Sequence, residues 1–385
     1  MDVDRTITRD ARGSVSRIND RRQDFVVVIP AHNEAPVINS TLKSLTTVTK
    51  DMAQIHVIAD HCCDATAAIA ARAGVHVHIR NNQGPAGKGP ALHWWLSETH
   101  SQAPPEQIVF VMDADSHISP GCIENIQAHF VNGTCVAQTR IEPVISSTTP
   151  LELLSSLSEI VEHRIYDALR ARLGWPVRLR GTGMIFRRKI LEYYSEYLHT
   201  NVEDLELTVL IGEANVPITY LPNIVVLDPK PQDPRGAMHQ RARWLRGQFQ
   251  VVRDYSTHIL RLILRGPKGW SLLASGLLKP RSFFIPLKIL SVFFFLYMAV
   301  LASGWFWITL AVFGCASILI DLGMYLYGLR YTRFPWKTLL ALAASPLFLF
   351  LWVQSTALAF IHRQPWLSSR RHIANPPRQR TTQVP

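Results

Sequence analysis

The run Phe25-Val26-Val27-Val28-Ile29, closed by Pro30 and followed by Ala31-His32-Asn33-Glu34, decides how the chain is read. Five apolar residues without polar alternation suit a strand covered on both faces, as in a parallel sheet, and not one with a wet side. Outward from it, Val37, Ile38, Leu42 and Leu45 return at helical spacing. Gln54 to Ala59 reads as a second strand, Thr66 to Ala73 as an alanine-rich helix, Val75, Val77 and Ile79 as a third strand, and Gln107 to Met112 as a fourth. The β-α-β-α-β order predicts an α/β fold with a mostly parallel, Rossmann-like sheet and short crossovers. Ligands of such sheets bind beyond the carboxyl ends of the strands, where Asp60 and Asp113 fall.

Further along, 151–172 and 201–214 have helical character, and Leu179 to Phe186 reads as a glycine-containing strand or turn. After Pro234 the character changes. Trp244, Leu245, Phe249, Val252, Tyr255, Ile259 and Ile263 return every three or four residues with Arg241, Arg246, Arg253, Arg261 and Arg265 between them, the pattern of a basic helix lying in a membrane interface. Ile289 to Ile320 carries no charged side chain. A stretch of about 283–328 is long enough for two crossings joined near Ser303-Gly304, with a third from Thr338 to Ile361. Three crossings would place Arg330, Arg333 and Lys337 inside but Arg363, Arg370, Arg371, Arg378 and Arg380 outside, against the positive-inside preference. A re-entrant segment or a split at Pro346 stays open.

Charge follows the same division. Residues 1–233 hold 21 Lys/Arg against 27 Asp/Glu, whereas 234–385 hold 19 against 2, so the net +11 is concentrated where the apolar runs are. That points to an anionic membrane surface and away from nucleic acid. Residues 1–24 are polar and contain no apolar run, which argues against a signal peptide and for a cytosolic amino-terminal part. Five cysteines without paired spacing argue for a reducing compartment. The expected organisation is a polar tail (1–24), a catalytic domain (25–235), amphipathic interfacial helices (236–282), about three transmembrane segments (283–361) and a basic tail (362–385).

Several motifs carry chemistry. Asp113-Ala114-Asp115 leaves a strand end with two carboxylates one residue apart, suited to a hard cation such as Mg2+ or Mn2+ that also binds phosphate. Asp60 at another strand end suits a nucleotide base or ribose, while Asp64, just before a helix, suits a cap. Gly84-Pro85-Ala86-Gly87-Lys88-Gly89 fails the P-loop pattern, with Asn82 and Gly89 in place of the required Gly and Ser/Thr, although Lys88 can still approach a diphosphate. His61-Cys62-Cys63 has no second ligand pair at zinc-finger spacing. Glu203-Asp204 suits either a cap or a general base, and Gln240-Arg241-Ala242-Arg243-Trp244 joins guanidinium groups to a flat indole.

Taken in order, these pieces resemble the membrane-bound, cellulose-synthase-like and ceramide-glucosyltransferase-like branch of the family 2 glycosyltransferases over about residues 25–250. The resemblance implies a GT-A catalytic domain followed by interfacial and transmembrane helices. It places Pro30, Ala31, Asn33, Glu34, Asp60, Lys88, Asp113, Ala114, Gln240 and Arg243 on the nucleotide sugar, most simply a UDP-sugar. It gives Asp113 and Asp115 the metal, Gly181, Thr182, Gly183, Glu203 and Trp244 the acceptor, and Asp204 the role of catalytic base in an inverting transfer. The family's polysaccharide synthases usually carry membrane helices before the catalytic domain as well. Their lack here favours a membrane lipid or lipid-linked saccharide as acceptor, with any export machinery separate, and a multi-pass inner (plasma) membrane location with the catalytic domain in the cytosol. A processive polysaccharide synthase, a nucleotidyltransferase and a non-catalytic membrane partner of a synthase remain the alternatives.

Overall fold

The structure is a computed structural model and describes residues 24–46, 49, 51–82, 84–230, 234–277, 281–302, 304–344, 350 and 353–356, with backbone alone at 53, 234–235 and 281–286. The expected tails, 1–24 save its last residue and 362–385, lie outside the described residues.

In chain order the first elements are β1 (Phe25–Ala31), α1 (Ile38–Leu45), β2 (Ile55–Asp60), α2 (Thr66–Arg72), β3 (His76–Arg80), α3 (Lys88–Glu98) and β4 (Ile108–Val111). Then come β5 (His117–Ile118), α4 (Cys122–Val131), β6 (Val136–Val144) and α5 (Pro150–Ile160). A π-helical turn (Val161–Asp167) links α5 to α6 (Ala168–Arg172), followed by β7 (Met184–Arg187), α7 (Arg188–Ser195), α8 (Glu203–Glu213) and β8 (Ile218–Pro229). The eight strands form one sheet in the order β3-β2-β1-β4-β7-β6-β8-β5.

The parallel half, β3-β2-β1-β4, is the part foreshadowed by the apolar runs. Its β1 alternates between two cores: Val26 and Val28 pack with Trp95 and Phe186, whereas Phe25, Val27 and Ile29 pack with Phe110 and Phe130. This two-faced burial is why the strand lacks polar residues. Strand β1 also runs two residues past the expected stop, through Pro30 to Ala31. Val28 faces β4, since its carbonyl accepts the Met112 N–H, and Pro30 therefore faces the same side. Pairing with β4 has ended by then, so the missing proline N–H leaves no gap in the ladder. In the other half β6 pairs with β8 in parallel, while β7 is antiparallel to both β4 and β6, and β5 to β8, so the sheet is mostly parallel as expected.

Helices α9 (Pro234–Asp254), α10 (Ser256–Leu264) and α11 (Pro267–Leu277) follow the sheet, so the amphipathic region is three helices broken at Tyr255 and Arg265-Gly266. Two close approaches seat them on the domain. A Cβ on Gly247 of α9 would lie 2.7 Å from Val202, and one on Gly276 of α11 would lie 2.5 Å from Leu205. Leu260, Ile263, Leu264 and Trp270 remain exposed on these helices.

Last come α12 (Arg281–Ala302), α13 (Trp305–Leu329) and α14 (Pro335–Ala341). Among the described residues one helix, α13, is long and apolar enough to cross a membrane; the apolar part of α12, Leu287–Ala302, is shorter. At the described start of the expected third crossing, α14 stops at Ala341 and tightens into the 3-10 turn Leu342–Ala344. Its Ala341 joins Ile145, Leu151, Leu153, Leu154 and Ala237 in a core of the catalytic part, whereas Leu340 is exposed. Most of that segment beyond Ala344 lies outside the described residues.

Candidate active site

Strands β1, β2 and β4 deliver their loops to one edge of the sheet, and β1 and β4 flank the point where the order 3-2-1-4 reverses direction. Asn33 leads the first loop with φ 55°, a left-handed conformation that asparagine tolerates. Its Oδ1 accepts the Cys63 N–H at 2.8 Å, and the Glu34 N–H reaches Thr66 Oγ1 at 2.8 Å. Asp64 accepts from the Ala35 and Thr66 N–H groups, both at 3.0 Å, and from the Thr66 hydroxyl. Burial opposes ionisation of Asp64, yet these bonds hold its carboxyl below the usual range. The loops after β1 and β2 are therefore stapled together, with Asp64 as the cap-like acceptor.

Asp60 does not face the cleft as expected. It is fully buried, with Oδ1 accepting from Arg80 Nη1 at 2.5 Å and paired with His61 Nδ1 at 2.8 Å, while Oδ2 accepts the Gly87 N–H at 3.0 Å. Both oxygens are taken up by the protein, because a carboxylate drawn under the sheet edge needs a compensating cation and donors. Its visible work is to fix Gly87, and so the start of α3.

That helix begins with Lys88, whose ammonium joins the site. Nζ donates to Asp113 Oδ1 at 2.5 Å and to the Gly181 carbonyl at 2.8 Å, and lies 3.9 Å from Glu203 Oε1. Burial works against the charged lysine, but Asp113, Glu203 and Asp204 overcome it and hold the group above the usual lysine range. The Asp113 N–H donates to Thr182 Oγ1 at 3.1 Å, and Thr182 donates to Ser116 at 3.1 Å. Gln138 Nε2 donates to the Thr182 carbonyl at 3.0 Å, and its Oε1 accepts the Arg180 N–H at 3.0 Å. The Arg180-Gly181-Thr182-Gly183 turn is thus locked between β6 and the Asp113 loop. Ala114 is buried, and its carbonyl accepts from Thr41 at 2.7 Å; Asp115 is buried beside it.

Glu203 and Asp204 open α8 on the far side of Lys88. Burial pushes the Glu203 carboxyl up to about 7, with Asp204 adding to the rise and Lys88 opposing it. The neighbours Val202 and Leu205 are the residues against which Gly247 and Gly276 pack, so α9 and α11 brace the acidic pair from both flanks. Arg178, which no spacing in the sequence had singled out, puts Nη2 3.8 Å from Asp204 Oδ2. Burial, with Arg180 adding to it, lowers its guanidinium to about 10. Gln240 and Arg243 are half-buried on α9 and Trp244 is exposed. Arg241, by contrast, is buried and donates to Ser155 Oγ at 3.3 Å, an anchor between α9 and α5.

The raised Glu203 carboxyl gives a stability signature. A folded-state value near 7 against an ordinary 4.5 means that the protonated form favours folding, so this contribution is full below pH 4.5 and is lost as pH rises through 7. Thermal unfolding of Glu203→Gln should therefore show a smaller fall in Tm between pH 5 and pH 8 than the wild type; an identical slope would refute the assignment.

Donor chemistry at Asp113 and Asp115 fits a hard divalent cation. The Asp113 side chain is 42% exposed toward the cleft and already holds a positive charge, the Lys88 ammonium. Among the described residues no group of three or more His, Cys, Asp or Glu side chains could hold an ion by itself. Two carboxylates with the remaining positions left to phosphate and water is the usual arrangement for Mg2+.

A family model described as "Glycosyltransferase like family 2" matches residues 22–247, well over half of the chain. The chain belongs to that family. Its mostly parallel α/β sheet with helices following it is the GT-A type of architecture expected for a family 2 glycosyltransferase. Among curated proteins it is similar to the probable glycosyltransferase YdaM of Bacillus subtilis, 24% identical over 249 residues (61% of this chain, 58% of that one). It is also similar to the beta-monoglucosyldiacylglycerol synthase of Synechocystis, 23% identical over 252 residues (63% and 51%). The chain thus spans little more than half the length of these relatives. Among solved structures it is similar to the mannosyltransferase PcManGT of Pyrobaculum calidifontis in complex with GDP-Man and Mn2+ (16% identity, TM-score 0.46, 89% of this chain and 94% of that one). A second is S. aureus TarS in complex with UDP-GlcNAc (16% identity, TM-score 0.40, 63% and 67%).

Proposed function

We propose that this family 2 protein is an inverting glycosyltransferase that moves a sugar from a nucleotide diphosphate sugar, in the first instance a UDP-sugar, to a hydroxyl of a membrane lipid or lipid-linked saccharide. The observation that carries this reading is the position of Lys88, one ammonium between Asp113 on the donor side and Glu203-Asp204 on the acceptor side. Asp204 is the base: it takes the proton of the acceptor hydroxyl as that oxygen attacks the anomeric carbon. The bond from that carbon to the diphosphate breaks on the opposite face, and the electron pair leaves with the nucleoside diphosphate. Arg178 stands beside this base, with Nη2 3.8 Å from Asp204 Oδ2. Lys88, with Gln240 and Arg243 from α9, faces the charge that grows on the leaving group. Asp113 and Asp115 would hold Mg2+ or Mn2+, which supplies Lewis-acid neutralisation of the diphosphate. Asn33, Glu34 and the β1 end shape the floor for the nucleoside, with Asp60 acting from beneath through Gly87. The Gly181–Gly183 turn and Trp244 line the acceptor side.

A lipid acceptor is supported by the bracing of the acidic pair by α9 and α11, which carry exposed Phe249 and Trp270, with exposed Leu264 on α10 between them. Relatives named for the synthesis of monoglucosyldiacylglycerol, a glycolipid, point the same way. A membrane location follows from α13 and these helices in the same reading.

The test uses the full chain in detergent with Mn2+ or Mg2+, a panel of UDP- and GDP-sugars, and lipid extracts. Release of nucleoside diphosphate without pyrophosphate, matched by sugar on the lipid fraction and stopped by a chelator, is expected. Release of pyrophosphate would overturn the reading in favour of nucleotidyl transfer.

A further inference from the structure

The apolar helix α13 contains one carboxylate, Asp321, and it is 6% exposed. Its Oδ2 accepts from Lys288 Nζ of α12 at 2.5 Å, and Lys288 also donates to Ser317 Oγ at 2.8 Å. A charge at such depth is tolerated only with a partner, and the α12–α13 pair already supplies one. The remaining oxygen does something different. Oδ1 accepts the hydroxyl of Tyr166, at 3.2 Å, from the π-helical turn of the catalytic domain.

That turn is held on its other side by the acceptor loop. Asp167, next to Tyr166 and fully buried, accepts from Arg180 Nη2 at 2.5 Å and Nε at 3.1 Å, and from Arg170 Nη1 at 2.8 Å. Glu162 stands 3.4 Å from Arg180. The residue after Arg180 is Gly181, whose carbonyl seats Lys88. Helix α13 also touches the turn directly, since a Cβ on Gly328 would lie 2.7 Å from Val161. A seven-residue turn of unusual geometry therefore sits between the membrane helices and the loop that positions the site's lysine. Such turns concentrate where function demands a local departure from the α-helix.

We propose that Asp321 is a positioning residue: by anchoring Tyr166 it fixes the π-helical turn, and through Asp167 and Arg180 it sets the Gly181 carbonyl that seats Lys88. The membrane helices are then part of the catalytic scaffold and not a tether alone. The contact chain is continuous, but coupling has to be measured along it.

Full-length wild type, Tyr166→Phe and Asp321→Asn in nanodiscs are compared by amide hydrogen exchange, with Phe313→Leu on the exposed face of α13 as control. Tyr166→Phe deletes only the hydroxyl, so it is expected to fold even if Asp321→Asn does not. The expected result for Tyr166→Phe is exchange faster by about threefold or more at 162–167 and 178–183, with β1–β4 unchanged. Phe313→Leu should match wild type. No change at 178–183 in Tyr166→Phe, or an equal rise throughout the sheet, would overturn the proposal. The activity arm rests on the glycosyl-transfer reading: kcat/KM for the donor should fall about tenfold in Tyr166→Phe, equivalent to about 1.4 kcal/mol. Inactive wild type would refute that reading and leave the exchange result to decide this one.

Discussion

Asp204→Asn is expected to reduce sugar transfer by about a thousandfold or more while donor affinity stays within about twofold of wild type. The amide fills the same volume at the start of α8, and Arg178, Val202 and Leu205 still hold it, so the site keeps its shape. What is lost is the capacity to accept the hydroxyl proton. In the proposed mechanism donor binding rests on the other side of Lys88, at Asp113 and the β1 loop, away from the substitution. Calorimetric titration with the nucleotide diphosphate sugar alongside a transfer assay separates the two. A variant that turns over at the wild-type rate would remove Asp204 from the mechanism.

The second large effect is on folding. Gly183→Val should destabilise the protein by about 4 kcal/mol or more and abolish donor binding with it. Gly183 has φ +71°, and a Cβ there would lie 2.1 Å from Thr139 Oγ1 and 3.4 Å from Thr139 Cβ in the adjacent strand β6. Only a turn of the Thr139 side chain can relieve that overlap, since both backbones are pinned: the Gly183 N–H donates to Val111 and the Thr139 N–H to Gly183. Gly174→Ala is the matched control. It shares a positive φ of +65° but has nothing within 4 Å, so it should cost only about 1 kcal/mol. Denaturant unfolding of both variants checks the difference; similar midpoints would show that the turn yields more easily than its contacts imply.

The legible part of this fold was the part written in short-range pattern. Strands β1, β2 and β4 are apolar because both faces are covered, and their carboxyl ends mark where Asp60 and Asp113 emerge. Strands β6 and β7 were harder to read. Val136 to Val144 mixes apolar and charged residues, since one end of it lines the site, and its neighbours are chosen by contacts some 50 to 80 residues away. Asp60 shows a different kind of limit. Its place at a strand end was plain, but its orientation depends on Arg80, 20 residues later, whose guanidinium turns the carboxylate inward. Arg178 escaped notice because its charge meets Asp204 only through tertiary contact, and Asp167 because its pairing with Arg180, unlike the local one with Arg170, is made by the fold. The stretch from Thr338 shows the converse ambiguity: its Ala341, in a run apolar enough for lipid, packs with Ile145 and Leu151 of the domain.

The seat of α13 on the catalytic part has a practical side. Leu157, Val161 and Ile165 are covered by Met324, Tyr325 and Leu329, and Leu151 and Leu154 by the region of Ala341. Trimming the polypeptide after residue 277 to obtain a water-soluble fragment would remove every one of those covers. The fragment would carry an oily scar beside its own active site and would self-associate on it. Whoever purifies this enzyme for crystals does better to keep the detergent.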